Sequence, residues 1–278
     1  MPLTQTETDR LIEIMRAAAR AQVLPRFRNL SAAEIDTKSG PTDLVTLADT
    51  EAERAMTEAL RAAWPGIEVV GEEAIAADPA LRDRIGTAPR VVVLDPIDGT
   101  WNFAKGLALF GMIAAVVEGP DTVAGVLYDP VLDDWIMAGA EGPAVICRPD
   151  AAPRPLRCSE VTAPEAVQGF LPLGLLPRDK RAAVAASTTD FSRVYSLRCS
   201  CHEYRMLAQG HAEFCMSGPA PHAWDHAAGA LIVARAGGVT RMLDGTPYHA
   251  GITEGYVLTA ASEPVWQMVA ERFAFLNA

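Results

Sequence analysis

The sequence predicts a mixed α/β fold, and three observations carry that expectation. Arg90 to Leu94 (RVVVL) is a continuous apolar, β-branched run, the pattern of a strand covered on both faces. Leu11, Ile12, Ile14, Met15, Ala18 and Ala19 recur at helical spacing. Met112–Val117, Val123–Leu127 and Trp135–Ala138 follow one another as strand-sized runs joined by hairpin-like turns.

Taken in order, the first helix ends before Pro25. Thr50 and Glu53 have the spacing of a capping box, predicting a second helix from Glu51 to Ala63 that stops at Pro65-Gly66. Ile67 to Val70 reads as a strand running into Gly71-Glu72-Glu73, and the RVVVL strand ends at Asp95-Pro96. Four prolines between Gly142 and Pro155 mark the expected boundary between an N-terminal α+β half (about 1–150) and a C-terminal α/β half (about 151–278). In the second half, Tyr204 to Gln209 reads as helix. Asp225 reads as the cap of an Ala-rich helix closed by Gly237-Gly238, and Val239 to Leu243 as a strand.

At 278 residues, half of them apolar and 21% charged, the chain can bury a substantial core and is no disordered tail. The net charge of −11 argues against a nucleic-acid surface. It is confined to residues 1–150, which hold 13 basic and 24 acidic side chains, while residues 151–278 hold 11 of each. That half is suited to cations. Five cysteines without CxxC spacing predict reduced thiols, and with no secretory pattern at the start the expected compartment is the cytoplasm. Apolar runs are too short or too interrupted for a membrane span.

The sharpest local feature is Asp95-Pro96-Ile97-Asp98-Gly99-Thr100, two carboxylates at the end of a buried strand with no Lys or Arg from Val91 to Ala104. Two such charges about 4 Å apart repel by roughly 4 kcal/mol at an effective dielectric of about 20. A hard divalent cation removes that penalty, and oxygen-only ligands favour magnesium. The alternative is a turn in which both aspartates accept backbone amides. Walker A, GxSxG and GxGxxG signatures are missing, and the DxxD spacing does not fit a phosphoaspartyl nucleophile. Asp225 in Trp224-Asp225 has the simpler reading of a helix cap, Glu72 that of a polar turn, and Asp49 that of a surface residue. His222 and His226 are four apart, but Pro221 places His222 before the helix, so a shared zinc-binding face is not expected.

Together these elements resemble the inositol monophosphatase family: Lys38 and Leu44-Val45-Thr46-Leu47-Ala48-Asp49, then Gly71-Glu72-Glu73, then Asp95 to Thr100 followed by Trp-Asn-Phe, then Trp224-Asp225. Order and spacing agree over nearly the whole chain. The resemblance implies a single phosphatase domain (1–278) built as a layered α-β-α-β-α sandwich. It also implies Mg²⁺-dependent hydrolysis of a small phosphorylated metabolite by direct attack of water, with two or three ions per site. It places metal ligation on Glu72, Asp95, the Ile97 carbonyl, Asp98 and Asp225. Asp49, Thr100 and Glu72 form the implied catalytic set, with Asp49 and Thr100 orienting and activating the water. Asp98, Gly99, Thr100 and Asp225 are the implied phosphate and substrate contacts. Dimerisation and lithium inhibition are further family expectations.

Two departures bear on substrate. Relatives that act on inositol phosphates place a Glu seven residues before the Trp-Asp aspartate, and here that position is Gly218. Where the family carries a Gly-Ser pair, this chain reads Arg198-Cys199. Arg198 then either meets a second anionic group on the substrate or pairs with Glu203 or a surface acid. The expected substrates stay open among sugar monophosphates, sugar or nucleotide bisphosphates and histidinol phosphate. A macromolecule-binding protein that keeps the fold is the non-enzymatic alternative.

Overall fold

In a computed structural model, which describes residues 3–40 and 43–277, two sheets alternate with three layers of helix. Residues 1, 2, 41, 42 and 278 of the predicted single domain lie outside the described residues.

Helix α1 (Gln5–Ala18) starts at a Thr4–Glu7 capping box and precedes a hairpin, β1 (Ile35–Gly40) and β2 (Asp43–Thr46). Helix α2 spans Leu47–Ala63. Its capping box is Thr46 with Asp49, one turn earlier than the Thr50–Glu53 pair expected from sequence. Thr46 wins because its backbone is extended (φ −121°, ψ 163°), as a cap requires, whereas Thr50 already lies within the helix. Next come β3 (Glu68–Gly71), α3 (Glu72–Ala77), β4 (Val91–Asp98), the short α4 (Thr100–Ala104), β5 (Gly111–Glu118), β6 (Asp121–Asp129) and β7 (Asp134–Gly139). The Pro-rich stretch does not leave this sheet: β8 (Val145–Cys147) and β9 (Arg154–Pro155) extend its edge. The chain passes to the second sheet only after Pro155. The seven strands run in the order β3 to β9, parallel at β3/β4 and antiparallel from there on.

The second sheet takes β10 (Gln168–Phe170), β11 (Arg193–Tyr195), β12 (Phe214–Ser217), β13 (Val239–Met242) and β14 (Val257–Ala260), in the order β11-β10-β12-β14-β13. Helices α5 (Arg181–Ser187), α6 (Ser200–Ala208), α7 (Ala223–Arg235) and α8 (Glu263–Phe273) complete the fold.

Strand β4 shows why the layers stack. All eight of its residues are buried, so each face needs a cover. Val92 and Leu94 meet α1 and α2 through Leu11, Met15, Met56 and Leu60. Val91 and Val93 lie on the opposite face, in a cluster with Tyr204 and Leu207 of α6 and Ala227 and Ala228 of α7. That cluster also takes in Phe170 and Cys215 of the second sheet. The far side of the second sheet is covered by α5 and α8 through Val184, Val265, Val269 and Phe273. The result is the α-β-α-β-α sandwich, with the carboxyl end of β4 held between α2 and the N-termini of α6 and α7.

Candidate active site

At the end of β4 the ladder to β5 breaks between Asp95 and Asp98. Pro96 has no N–H to donate to it, and the Asp95 carboxylate accepts the Ile97 amide at 3.1 Å. Gly99 then takes φ 86°, and a Cβ there would lie 3.1 Å from the Leu109 carbonyl oxygen and 3.2 Å from the Cys199 Cβ. Only glycine makes this turn without strain, and it points the backbone into α4. Thr100 Oγ1 lies 3.0 Å from Asp49 Oδ1 and 2.9 Å from the Ile97 carbonyl oxygen. The other oxygen of Asp49 accepts the amide (2.8 Å) and hydroxyl (2.5 Å) of Thr46. The cap of α2 thus fixes Asp49, and Asp49 orients Thr100. Asp49 is a buried group rather than the surface residue its sequence context suggests.

Asp225 sits at the third helical position of α7, not at its cap; His222 occupies the cap without a side-chain bond to the helix amides. Asp95, Asp98 and Asp225, which are 130 residues apart in the chain at their extremes, each present an oxygen such that the three atoms lie within 4.8 Å of one another. Asp98 also accepts the Cys201 amide and the Cys199 thiol (Sγ 3.2 Å). Burial, followed by the neighbouring carboxylates, pushes Asp95 and Asp225 well above the usual range. Burial raises Asp98 to about 6 against the lowering effect of its hydrogen bonds. Three desolvated carboxylates facing one another call for positive charge, and all-oxygen donors fit a hard cation such as magnesium.

Glu72 lines the same space, with its carboxylate held by Lys38 Nζ at 2.6 Å; the same ammonium meets Glu73 at 2.7 Å. Glu53, whose spacing suggests a capping partner for Thr50, is instead buried and accepts the Glu73 and Ala74 amides, both at 2.8 Å, so it anchors the start of α3. Burial lifts Glu53, like Asp49, to about 7. Its signal was available in the sequence, four residues after Asp49 on the same helical face.

Arg198 is exposed, has φ 55°, and lays its guanidinium 4.1 Å over the Trp101 ring. Glu203, its candidate partner, is buried and accepts the Leu197 amide (2.7 Å) and the Ser196 hydroxyl (3.1 Å). The two histidines go separate ways: His222 stacks on Trp224 at 4.4 Å, and the buried His226 meets the Tyr204 hydroxyl at 3.1 Å. A chamber of 230 Å³ over Asp98, Gly99, Thr100 and Arg198 adjoins a larger cavity of 1130 Å³ that shares Glu72, Arg198 and Asp225 with it.

Gly218 has φ 152°, and a Cβ there would lie 2.6 Å from the Gly255 carbonyl oxygen and 2.9 Å from the Tyr256 Cα. Backbone blocks any side chain, so the missing hydroxyl-binding Glu cannot be restored by substitution. Gly218→Glu is expected to cost about 3 kcal/mol or more of stability, read as a lowered denaturation midpoint, with no gain in preference for inositol 1-phosphate. A stable variant with new inositol preference would contradict this.

The family model described as "Inositol monophosphatase family" matches residues 5–274. The chain is 33% identical over 235 residues to the Mycobacterium tuberculosis protein named inositol-1-monophosphatase SuhB, covering 81% of this chain and 76% of that one. It is 31% identical over 245 residues to a histidinol-phosphatase of Streptomyces coelicolor, covering 86% and 87%. Among solved structures it is similar to a Thermotoga maritima IMPase, with a TM-score of 0.81 at 22% identity over 98% of both chains, a likeness of fold.

Proposed function

This chain belongs to the inositol monophosphatase family, and from that premise we propose that it hydrolyses a small-molecule phosphate monoester with magnesium and water, without strict specificity for inositol. The family is one of phosphatases; the Mg²⁺ requirement and the substrate are the proposed part. The observation that carries the reading is the convergence of the Asp95, Asp98 and Asp225 oxygens within 4.8 Å, beside a hydroxyl already oriented by a buried carboxylate.

Glu72, Asp95, the Ile97 carbonyl, Asp98 and Asp225 would hold two or three ions. Bound there, magnesium offsets the carboxylate charge, lowers the pKa of water and stabilises charge on the phosphoryl oxygens and the leaving alkoxide. The Thr100 hydroxyl donates to Asp49 and turns a lone pair toward the attacking water. Asp49, buried and fixed by Thr46, is placed to accept that proton through Thr100. Glu72 completes the set that positions the water. Gly99 and Thr100 place backbone amides at the start of α4 to receive the phosphate. The chain has no need of a covalent nucleophile.

Arg198, at the wall of the smaller chamber, is proposed to meet an anionic oxygen of the substrate close to the scissile phosphate. Arg198→Ala should lower kcat/KM about 10-fold or more on the best substrate; an unchanged value would overturn the contact. Sugar and nucleotide bisphosphates and histidinol phosphate are the competing substrate classes, separated by phosphate release from a panel of esters. The five buried free cysteines fit the proposed cytoplasmic setting. The proposed homodimer is checked by light scattering. No helix among the described residues is long and apolar enough to cross a membrane.

A further inference from the structure

The larger cavity holds a cation that the fold itself does not neutralise. Arg82 lies on the 3-10 turn Pro79–Arg84 that follows α3. Its guanidinium rests 5.1 Å from the Trp224 ring centroid, and its Nη2 lies 3.0 Å from His222 Nδ1. Arginine has no acceptor, so Nδ1 must accept this bond, and the imidazole is neutral. Burial, followed by the Arg82 charge, pushes the His222 pKa down to about 4, in agreement. A neutral imidazole orients a guanidinium without cancelling its charge.

Several other arginines are charge-paired, while Arg28, Arg181 and Arg235 bond backbone carbonyls away from the site. Arg84, two residues on, forks onto Glu68 at 2.7 and 2.5 Å. Arg16 pairs with Asp133, Arg205 with Asp134 and Arg241 with Glu263. Among the described residues, Arg82 has no carboxylate within ion-pair distance. Nor does it serve as counter-charge to the metal-binding cluster, where the cation in contact is Lys38 on Glu72 and Glu73.

Arg82 nevertheless faces the site. It lines the 1130 Å³ cavity together with Arg198, Trp224 and Asp225 and with the apolar Ile75, Pro79 and Leu175. The 230 Å³ chamber over Thr100 includes Arg198 but not Arg82. Arg82 therefore stands outside the chamber that holds Thr100, in the adjoining cavity that the alcohol portion of a substrate could occupy. A cavity just above the roughly 300–1,000 Å³ usual for ligand sites has room for an alcohol with substituents of its own. The Trp224 face and the His222 nitrogen pre-order the guanidinium, so less side-chain freedom is lost when an anion binds.

We propose that Arg82 is a specificity-determining residue whose guanidinium binds a second anionic group, carboxylate or phosphate, on the alcohol portion of the substrate. This rests on the phosphatase reading above. It is tested with matched esters that differ only in the second anion. Adenosine 3′-monophosphate against adenosine 3′,5′-bisphosphate tests phosphate, and phenyl phosphate against 4-carboxyphenyl phosphate tests carboxylate. Each is assayed with magnesium on the wild type, Arg82→Met, Arg82→Lys and Arg84→Met, and the corresponding non-hydrolysable phosphonates are titrated calorimetrically.

Arg82→Met should raise KM for the doubly anionic member of at least one pair about 10- to 100-fold, the range of a charge-assisted hydrogen bond. It should leave the singly anionic member within about twofold, with kcat less affected than KM. Arg82→Lys should recover part of the loss, and Arg84→Met should change neither member. Equal losses on both members, or no loss on either, would overturn the proposal. Turnover without discrimination thus removes Arg82's role and leaves the phosphatase reading. Discrimination in phosphonate binding with no turnover of any ester removes the phosphatase reading and leaves Arg82's role.

Discussion

Asp95→Asn is expected to reduce magnesium-dependent phosphate release by about 10³-fold or more while leaving the fold intact. The side chain keeps its size and can still accept the Ile97 amide, now made at 3.1 Å. What disappears is the charge at the centre of the Asp95–Asp98–Asp225 cluster. Stability should respond in the opposite sense. In the metal-free protein these carboxyls titrate above their unfolded values, so the folded state holds more protons than the unfolded chain. Their stabilising contribution is present below the unfolded carboxyl pKa of about 4 and is lost as pH rises through the folded values. For Asp98 that value is about 6. The denaturation midpoint of metal-free wild type should therefore fall as pH rises from about 4 through about 6, and further still as Asp95 and Asp225 ionise above their ordinary range. Magnesium should restore it at the upper end, and Asp95→Asn should flatten the fall. Wild-type stability indifferent to magnesium at pH 8, with activity surviving the substitution, would contradict the assignment.

Thr100→Val should lower kcat about 10²-fold or more, near the lower bound for loss of a positioned proton-transfer group, with KM little changed. The substitution keeps the branched shape at the start of α4 and deletes only the hydroxyl, which lies 3.0 Å from Asp49 and 2.9 Å from the Ile97 carbonyl. Asp49 loses one bond and keeps two from Thr46, so the stability cost should stay at about 1–3 kcal/mol. Thr100→Ser should restore most of the rate. A KM effect without a kcat effect would mean that Thr100 binds substrate instead of orienting water.

Much of this arrangement was legible in the chain. The buried strand at Val91–Leu94 and the turn at Asp95 to Thr100 are local, because β-branched runs and a Pro-Gly-punctuated pair of aspartates state their conformation within a few residues. The convergence of Asp225 on Asp95 is not local. Spacing made Asp225 a cap, and only the family pattern made it a ligand; in the fold it stands at the third position of α7, with His222 at the cap. The α2 start was misread by one turn for a related reason. Thr46–Asp49 and Thr50–Glu53 both satisfy the capping pattern, and tertiary contacts choose between them: Asp49 is needed by Thr100, and Glu53 by the α3 amides. The Gly142–Pro155 stretch has the composition of a linker, yet its edge strands extend the sheet, since proline is tolerated where no further ladder partner is required. Arg82 gave no signal at all, because its meaning depends on Trp224 and His222, some 140 residues away.

The most direct test of the central claim is phosphate release by the wild-type protein from a panel of phosphomonoesters and bisphosphates, in magnesium and in excess chelator. Turnover that requires magnesium is expected, with inositol 1-phosphate not favoured over esters bearing a second anion. Magnesium binding without release of phosphate from any ester would contradict that claim and turn attention to a binding role for this fold.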